Sequence, residues 1–136
     1  IDHLSVADNI ALPLSVTGHD NWDDTTNLKE LLAWVGLSHR ANALPPELSG
    51  GERQRAALAR AIITSPDIVL ADEPTGNVDR EMSESLLRLL LELNRTGKTV
   101  VIASHDLSLI RSAKSQVKAR VLRIANNSLQ LAGANL

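Results

Sequence analysis

The segment Asp67–Pro74, DIVLADEP, is a short apolar run that ends in two acids and a proline. Such a run is typical of a strand that is buried on both faces in a parallel sheet. Open α/β sheets place their ligand crevice at the C-terminal ends of the strands, so Asp72 and Glu73 are predicted to lie at that edge. This segment therefore predicts a fold class and the position of a site.

The sequence after this strand alternates between helical and strand patterns. Apolar residues recur at helical spacing from Met82 to Leu93, TGK (96–98) predicts a turn, TVVIAS (99–104) predicts a second buried strand, and DLSLIRSA (106–113) predicts the start of another helix. The order strand, helix, strand, helix predicts an α/β fold. The last segment contains two alternating stretches joined by Asn126-Asn127, which predicts a β-hairpin.

Two helices are predicted upstream of the first strand. Leucines and a valine at helical spacing between residues 28 and 35 predict one helix, which ends at Gly36, and a second is predicted from about Glu52 to Thr64. The connector between them has two prolines and ends in Ser49-Gly50-Gly51. Glycines allow a close backbone approach, and a helix N-terminus presents free N–H groups, so this junction suits an anion.

The composition is that of one soluble globular domain. The chain has 136 residues, of which 43% are hydrophobic, and a formal net charge of -2, which gives no reason to expect nucleic acid as a partner. Cysteine is absent, which excludes disulfides and thiolate metal sites. The apolar runs fall short of the roughly 20 residues of a membrane-spanning helix, so any membrane contact is expected to go through a partner.

The polar residues at the strand ends have both ordinary and functional interpretations. Asp72 and Glu73 could be a solvated strand end, yet this placement also suits magnesium-dependent phosphoanhydride hydrolysis, which needs one carboxylate for the metal and one for water. His105 follows the second strand, so parallel pairing would bring it to the same edge. Asp79 precedes the leucine-rich helix, where capping is its ordinary role.

Three motifs in this order, LSGGERQR (48–55), VLADEPTGNVD (69–79) and IASHD (102–106), resemble those of the ATP-binding-cassette (ABC) ATPases. The resemblance covers most of the chain and implies a P-loop NTPase fold that binds ATP and Mg²⁺. It also implies that two ATPase subunits pair head to tail, because in this family the signature loop closes over ATP bound to the partner subunit.

The resemblance implies a role for each matching residue. Glu73 would be the general base for the attacking water, Asp72 would act on magnesium, and His105 would contact the terminal phosphate. Ser49, Gly50 and Gly51 would form the signature loop and Asp79 would be the D-loop acid. Gln54 and Arg55 are expected to support the signature helix.

Three elements of the family are not recognisable in the sequence: the phosphate loop, the adenine-stacking aromatic and the glutamine switch loop. No G-x-x-x-x-G-K-[ST] phosphate loop is present, since Gly97-Lys98-Thr99 has Glu92 where the first glycine should stand and precedes a strand. The chain begins with Ile1 and contains no Phe or Tyr, so it is expected to be a piece of a longer protein. Because all three missing elements lie upstream in the family, the resemblance implies that the chain is the C-terminal part of such an ATPase. Residues 1–57 would be a helical subdomain and 58–136 the second half of a RecA-like core, whose sheet should expose apolar surface.

Within the family, four segments look most like the cell-division ATPases of the FtsE type: LSVADNIALPL (4–14), ALPPELSGGERQR (43–55), ADEPTGNVD (71–79) and LLLELNRTGKTVVIASHDLSLI (89–110). The lipoprotein-release and macrolide-export ATPases are close competitors. The resemblance implies an integral membrane partner like FtsX and a location at the cytoplasmic face of the bacterial inner membrane. A rival hypothesis is a non-catalytic module that binds a partner without nucleotide.

Overall fold

The computed structural model describes residues 1–17, 25–76 and 78–132. The polar stretch at residues 18–24, whose composition predicts a loop, lies outside this range. The described part contains five α-helices and four strands: α1 (Val6–Thr17), α2 (Thr25–Trp34), α3 (Gly50–Ile62), β1 (Ile68–Asp72), α4 (Arg80–Arg95), β2 (Thr99–Ala103), α5 (Leu107–Gln116), β3 (Leu122–Ala125) and β4 (Ser128–Leu131). This order confirms the α/β prediction. None of the described helices is long and apolar enough to cross a membrane.

The sheet that carries the candidate site consists of β1 and β2. The two strands run parallel, with Ile68 beside Thr99 at one end and Asp72 beside Ala103 at the other. Helix α4 makes the crossover between them, as parallel neighbours require. The register places the C-terminal ends of both strands, and the residues that follow them, at one edge of the sheet.

The two strands are less buried than the sequence predicted. In β1 only Val69 is buried, whereas the Leu70 side chain is 76% exposed and Ile68 and Val101 are exposed as well. The prediction of burial on both faces was therefore wrong for this chain. None of the described elements packs against the face of the sheet that carries Ile68, Leu70 and Val101. The related expectation that apolar sheet surface would be exposed is confirmed.

The main hydrophobic core joins the helices. Its buried members come from α1, α2, the connector, α3 and α4: Val6, Ile10, Leu32, Val35, Leu37, Leu48, Ala59 and Leu89. A hydrogen bond from the Trp34 indole to the Glu92 carboxylate, 2.8 Å long, links α2 to α4 beside this core. The core thus holds α3 in place relative to α4. The division at residue 57, which falls inside α3, stays a prediction.

A second, smaller cluster positions the elements around β2. Leu87 and Leu91 of α4 pack with Leu109 of α5, and Ile102 of β2 lies against them. The predicted hairpin follows: β3 and β4 pair antiparallel around Asn126 and Asn127, which have φ values of 50° and 57°. Two consecutive residues with positive φ are characteristic of a type I′ turn.

Candidate functional site

The backbone of Glu73 turns sharply at the end of β1. Its N–H donates to the Ala103 carbonyl at 2.9 Å, which extends the pairing of β1 with β2 by one residue. Its φ is +42°, in the left-handed region that residues other than glycine rarely adopt. The chain then closes a tight turn in which the Gly76 N–H donates to the Glu73 carbonyl at 2.9 Å. These bonds fix the point from which the Glu73 side chain projects.

The Glu73 carboxylate is held by the segment that follows β2. Its Oε1 lies 2.7 Å from Nδ1 of the His105 ring and accepts the His105 backbone N–H at 2.9 Å. Its Oε2 accepts the Ser104 hydroxyl at 3.1 Å. Parallel pairing of β1 with β2 therefore brings Glu73 and His105 together. The sequence analysis did not predict Ser104 as a site residue, although it directly precedes His105 and so lies at the same edge of the sheet.

These contacts shift the protonation of both groups. The hydrogen bond from the His105 ring lowers the pKa of Glu73, and the His105 backbone N–H and the Ser104 hydroxyl add to the effect. The same bond to Glu73 raises the pKa of His105, with a further contribution from the charge of Asp106. Since each partner favours the charged form of the other, the pair is an ionised carboxylate beside a readily protonated imidazole.

Asp72 occupies the last position of β1 and is exposed. Its carboxylate makes no hydrogen bond or ion pair with any residue that the structure describes. No group of three or more His, Cys, Asp and Glu side chains suited to a metal occurs among residues 1–17, 25–76 and 78–132. A single free carboxylate is compatible with Mg²⁺. This ion prefers oxygen ligands, and waters and substrate phosphates usually occupy most of its coordination positions.

Ser49 begins α3 with a reciprocal pair of hydrogen bonds. Its hydroxyl accepts the Glu52 N–H at 3.2 Å, and the Glu52 carboxylate accepts the Ser49 N–H at 2.8 Å, which is a capping box. Arg40 donates to the other Glu52 oxygen at 3.0 Å. The Ser49 backbone bond, followed by the bond from Arg40, lowers the pKa of Glu52 to about 2. This network fixes the N-terminus of α3.

The start of α3 lies at the surface. Ser49 and Gly50 are exposed, and the first intrahelical bond of this turn runs from the Arg53 N–H to the Ser49 carbonyl. The preceding N–H groups of a helix have no intrahelical acceptor and carry the positive end of its dipole. The assignment of an anion site to Ser49, Gly50 and Gly51 stays a prediction.

Gly51, in contrast, is buried. A Cβ atom at this position would overlap the Met82 side chain of α4. Arg55, one turn further along α3, donates to the Met82 sulfur at 2.9 Å. Gly51 therefore permits close packing of α3 against the start of α4, which is a structural use of a residue that the sequence assigned to anion binding.

Asp79 caps α4. Its carboxylate accepts the Met82 N–H at 2.9 Å, which is the ordinary role of an Asp at this position. Asp79 is nevertheless exposed at the surface. Ser49 and Gly50 are exposed too. Gly50, Gln54, Gly76 and Val78 contribute to the lining of a cleft of about 310 Å³ between α3 and the segment before α4.

Comparisons with known proteins agree with these motifs. Residues 1–76 match the sequence profile of the family described as ABC transporter. The lipoprotein-releasing system ATP-binding protein LolD of Colwellia psychrerythraea is 49% identical over 85% of this chain and 45% of its own length. The cell division ATP-binding protein FtsE of Haemophilus influenzae is also 49% identical, over 79% of this chain and 49% of its own length.

Other comparisons extend the same pattern. FtsE of Mycobacterium tuberculosis is 48% identical over 86% of this chain and 51% of its own length. The chain thus spans about half the length of the curated relatives it matches. Among solved structures, the ATP-binding cassette MJ0796, as a dimer in a post-hydrolysis state bound to ADP and Pi, superimposes with a TM-score of 0.72 at 38% identity, over 82% of this chain and 50% of that one. By its motifs, its fold and these relatives, the chain belongs to the ABC transporter family.

Proposed function

We propose that this chain is part of an ATP-hydrolysing subunit of an ABC-type membrane complex, with ATP as substrate and Mg²⁺ as the metal. The observation that carries the proposal is the 2.7 Å contact between Glu73 and His105 at the C-terminal edge of the parallel strands, beside the free carboxylate of Asp72. This edge is where open α/β sheets bind their ligands.

In this proposal Glu73 acts as the general base. The Glu73 carboxylate is ionised at neutral pH, as an ordinary glutamate is and as its lowered pKa requires, so it can orient a water molecule and accept its proton. The water oxygen forms a bond to the terminal phosphorus as the bond from that phosphorus to the bridging oxygen of ADP breaks. Asp72 would hold Mg²⁺, which supplies Lewis-acid stabilisation of phosphate charge when bound.

The raised pKa of His105 suits a contact with the terminal phosphate. A larger fraction of the ring is protonated than in a free histidine, and a cation stabilises the negative charge of the transferring phosphoryl group. In the described arrangement Glu73 already accepts hydrogen bonds from His105 and Ser104. These residues therefore orient the carboxylate and tune its basicity.

The loop at Ser49 would serve a second subunit. We propose that Ser49, Gly50 and Gly51 bind the phosphates of ATP held by a partner copy, with Asp79 near the same interface. Exposure of Ser49 and Gly50 supports this role, because they lie at a helix N-terminus, where the positive end of the helix dipole favours anions. The solved relative MJ0796, described as dimeric, supports a homodimer as the working form.

Calorimetry can separate the enzyme from a non-catalytic module. The sequence lacks a phosphate loop, so titration of MgATP into the 136-residue chain should give no saturable heat. A chimera that joins the N-terminal half of the Haemophilus FtsE to Ile1 should bind MgATP and hydrolyse it.

The substitution Asp72→Asn in the chimera should raise the magnesium concentration that is needed for turnover. Asp67→Asn, which changes an exposed acid at the other end of β1, is the matched control. A chimera that binds ATP without any turnover would favour the non-catalytic module.

The membrane complex is proposed to be the FtsE type, acting with an FtsX-like integral membrane protein at the cytoplasmic face of the bacterial inner membrane in cell division. The lipoprotein-release type is a second candidate, because LolD and FtsE relatives are equally similar at 49% identity. Co-purification of the chimera with an FtsX protein, but not with the membrane proteins of a lipoprotein-releasing system, is the expected result. The reverse preference would reassign the chain to lipoprotein release, and a preference for a macrolide-export membrane protein would reassign it to that class.

A further inference from the structure

One face of α3 lies against the start of α4 and against the turn at Gly76. Gly51 packs under Met82, Arg55 donates to the Met82 sulfur, and Gln54 lies between them along the same face of the helix. These residues stand at spacings of three and four, so they project to one side. The face therefore connects α3 to α4 and to the turn between Glu73 and Gly76.

The Gln54 amide makes one specific contact on this face. Its Nε2 donates to the Gly76 carbonyl at 2.9 Å. Its Oε1 is buried and accepts no hydrogen bond from the residues that the structure describes. The opposite orientation of the amide would set Oε1 against the Gly76 carbonyl, so only the present one is favourable. Burying an unpaired acceptor is costly, and an apolar side chain of similar size would avoid that cost, so the bond to Gly76 is the particular contribution of glutamine here.

Both backbone polar groups of Gly76 are engaged. Its carbonyl accepts from Gln54, and its N–H donates to the Glu73 carbonyl at 2.9 Å. The turn is tight, because a Cβ at Gly76 would lie 3.2 Å from the Glu73 carbonyl oxygen. Two hydrogen bonds thus connect the Gln54 side chain to the backbone of Glu73, whose φ of +42° needs support from its surroundings.

We propose that Gln54 is a positioning residue: it fixes the Glu73 turn against α3, so that the loop at Ser49 and the carboxylate of Glu73 move as one unit. The effect on turnover rests on the function proposed above, whereas the hydrogen-bonded link is a property of the chain itself. Gln54 bonds to the turn rather than to Glu73 or His105, so it sets the geometry of the base without taking part in the chemistry.

The link is tested first in the 136-residue chain by amide hydrogen exchange and NMR. Gln54→Met keeps the size of the side chain and removes the donor, so the Gly76 N–H should exchange about two- to tenfold faster, as expected for the loss of one hydrogen bond. The His105 ring resonances should also shift. Gln54→Lys retains an N–H donor and should restore much of the protection, and Gln116→Met, on the exposed end of α5, is the matched control. Unchanged exchange and unchanged His105 resonances in Gln54→Met would overturn the proposal.

Turnover in the chimera provides the second readout. Gln54→Met should lower kcat about tenfold with an unchanged KM for ATP, and Gln54→Lys should recover part of the loss. A general loss of stability would not produce this pattern. An increase in KM that accounts for the whole effect would overturn the positioning role. If the parent chimera does not hydrolyse ATP, the proposed function fails, while the exchange measurement still decides whether the link exists.

Discussion

Oε1 of Glu73 lies 2.7 Å from Nδ1 of His105, across the C-terminal edge of two parallel strands. This bond is the main reason that the pKa of His105 is raised, so its removal should be visible on the histidine. In Glu73→Gln the negative charge is lost, and the pKa of His105 should fall toward its ordinary value of 6.5. NMR titration of the ring protons in the 136-residue chain measures this change.

The control for this titration is Glu84→Gln. Glu84 is an exposed glutamate on α4 that pairs with Arg80, so its charge can be removed without contact with His105. A His105 titration that is the same in Glu73→Gln, Glu84→Gln and the parent chain would show that the two side chains do not interact in solution.

Glu52 should make folding stability depend on pH in the acid range. Its pKa is about 2 in the folded chain against an ordinary value of 4.5, so the stabilisation is present above pH 4.5 and is lost as the pH falls toward 2. Other carboxylates with lowered pKa values, Glu73 and Asp106, lose stabilisation on acidification too. The contribution of Glu52 is therefore measured as the difference in the free energy of unfolding between the parent chain and Glu52→Gln.

Urea unfolding at several pH values measures that difference. Glutamine can keep the capping box with Ser49 but not the ion pair with Arg40, so Glu52→Gln should cost about 1–2 kcal/mol at pH 7 and progressively less below pH 4.5. His39, whose ring lies 3.8 Å from Glu52, faces the same carboxylate, so His39→Gln serves as a second variant. A constant difference from pH 7 to pH 2 would contradict the lowered pKa.

Gly51 and Met82 should be energetically coupled. Gly51→Ala adds a methyl group that overlaps Met82, and overpacking of this kind typically costs about 1–3 kcal/mol, offset in part by the better helix propensity of alanine. In a Met82→Ala background the same substitution should be neutral or stabilising. A double-mutant cycle of unfolding free energies measures the coupling. Additive effects of the two substitutions would mean that α3 and α4 do not pack closely at this point.

The bond between Trp34 and Glu92 should tie α2 to α4. Trp34→Phe removes the indole donor and Glu92→Leu removes the acceptor, and each is expected to lower the free energy of unfolding by about 1–3 kcal/mol. Because the two share one bond, the double variant should lose less than the sum. Glu81→Gln, at an exposed position in the first turn of α4, should have an effect within about 0.5 kcal/mol.

Local patterns predicted much of the fold. The strand at 68–72, the leucine-rich helix and the hairpin at Asn126-Asn127 each follow from spacing and turn chemistry, and parallel pairing of β1 with β2 placed His105 near Glu73 in advance. Helix α1 was not predicted, because the mixed segment at residues 8–14 ends at a proline, whereas the helix continues through Pro13 to Thr17. A proline inside a helix removes one backbone bond and usually marks a helix end, and here burial of Val6, Ile10 and Leu14 outweighs that loss.

Features that depend on distant contacts could not be predicted from local patterns. The exposure of Leu70 reflects what packs against the sheet, and the strand sequence does not encode it. The hydrogen bond from Gln54 to Gly76 joins residues 22 positions apart. A polar residue on a helix face does not reveal which distant acceptor it will bond to. Likewise, the burial of Gly51 under Met82 appears only once α3 and α4 are packed together.

The most direct test of the central claim is the substitution Glu73→Gln in the full-length chimera, with ATP binding and ATP hydrolysis measured on the same sample. Glutamine keeps the shape of the side chain but cannot accept the proton of the attacking water. We expect hydrolysis to fall at least about a hundredfold while ATP still binds, because general-base catalysis typically contributes about 10²–10⁴ in rate. Turnover that continues near the rate of the parent chimera would contradict the assignment of Glu73 as the base.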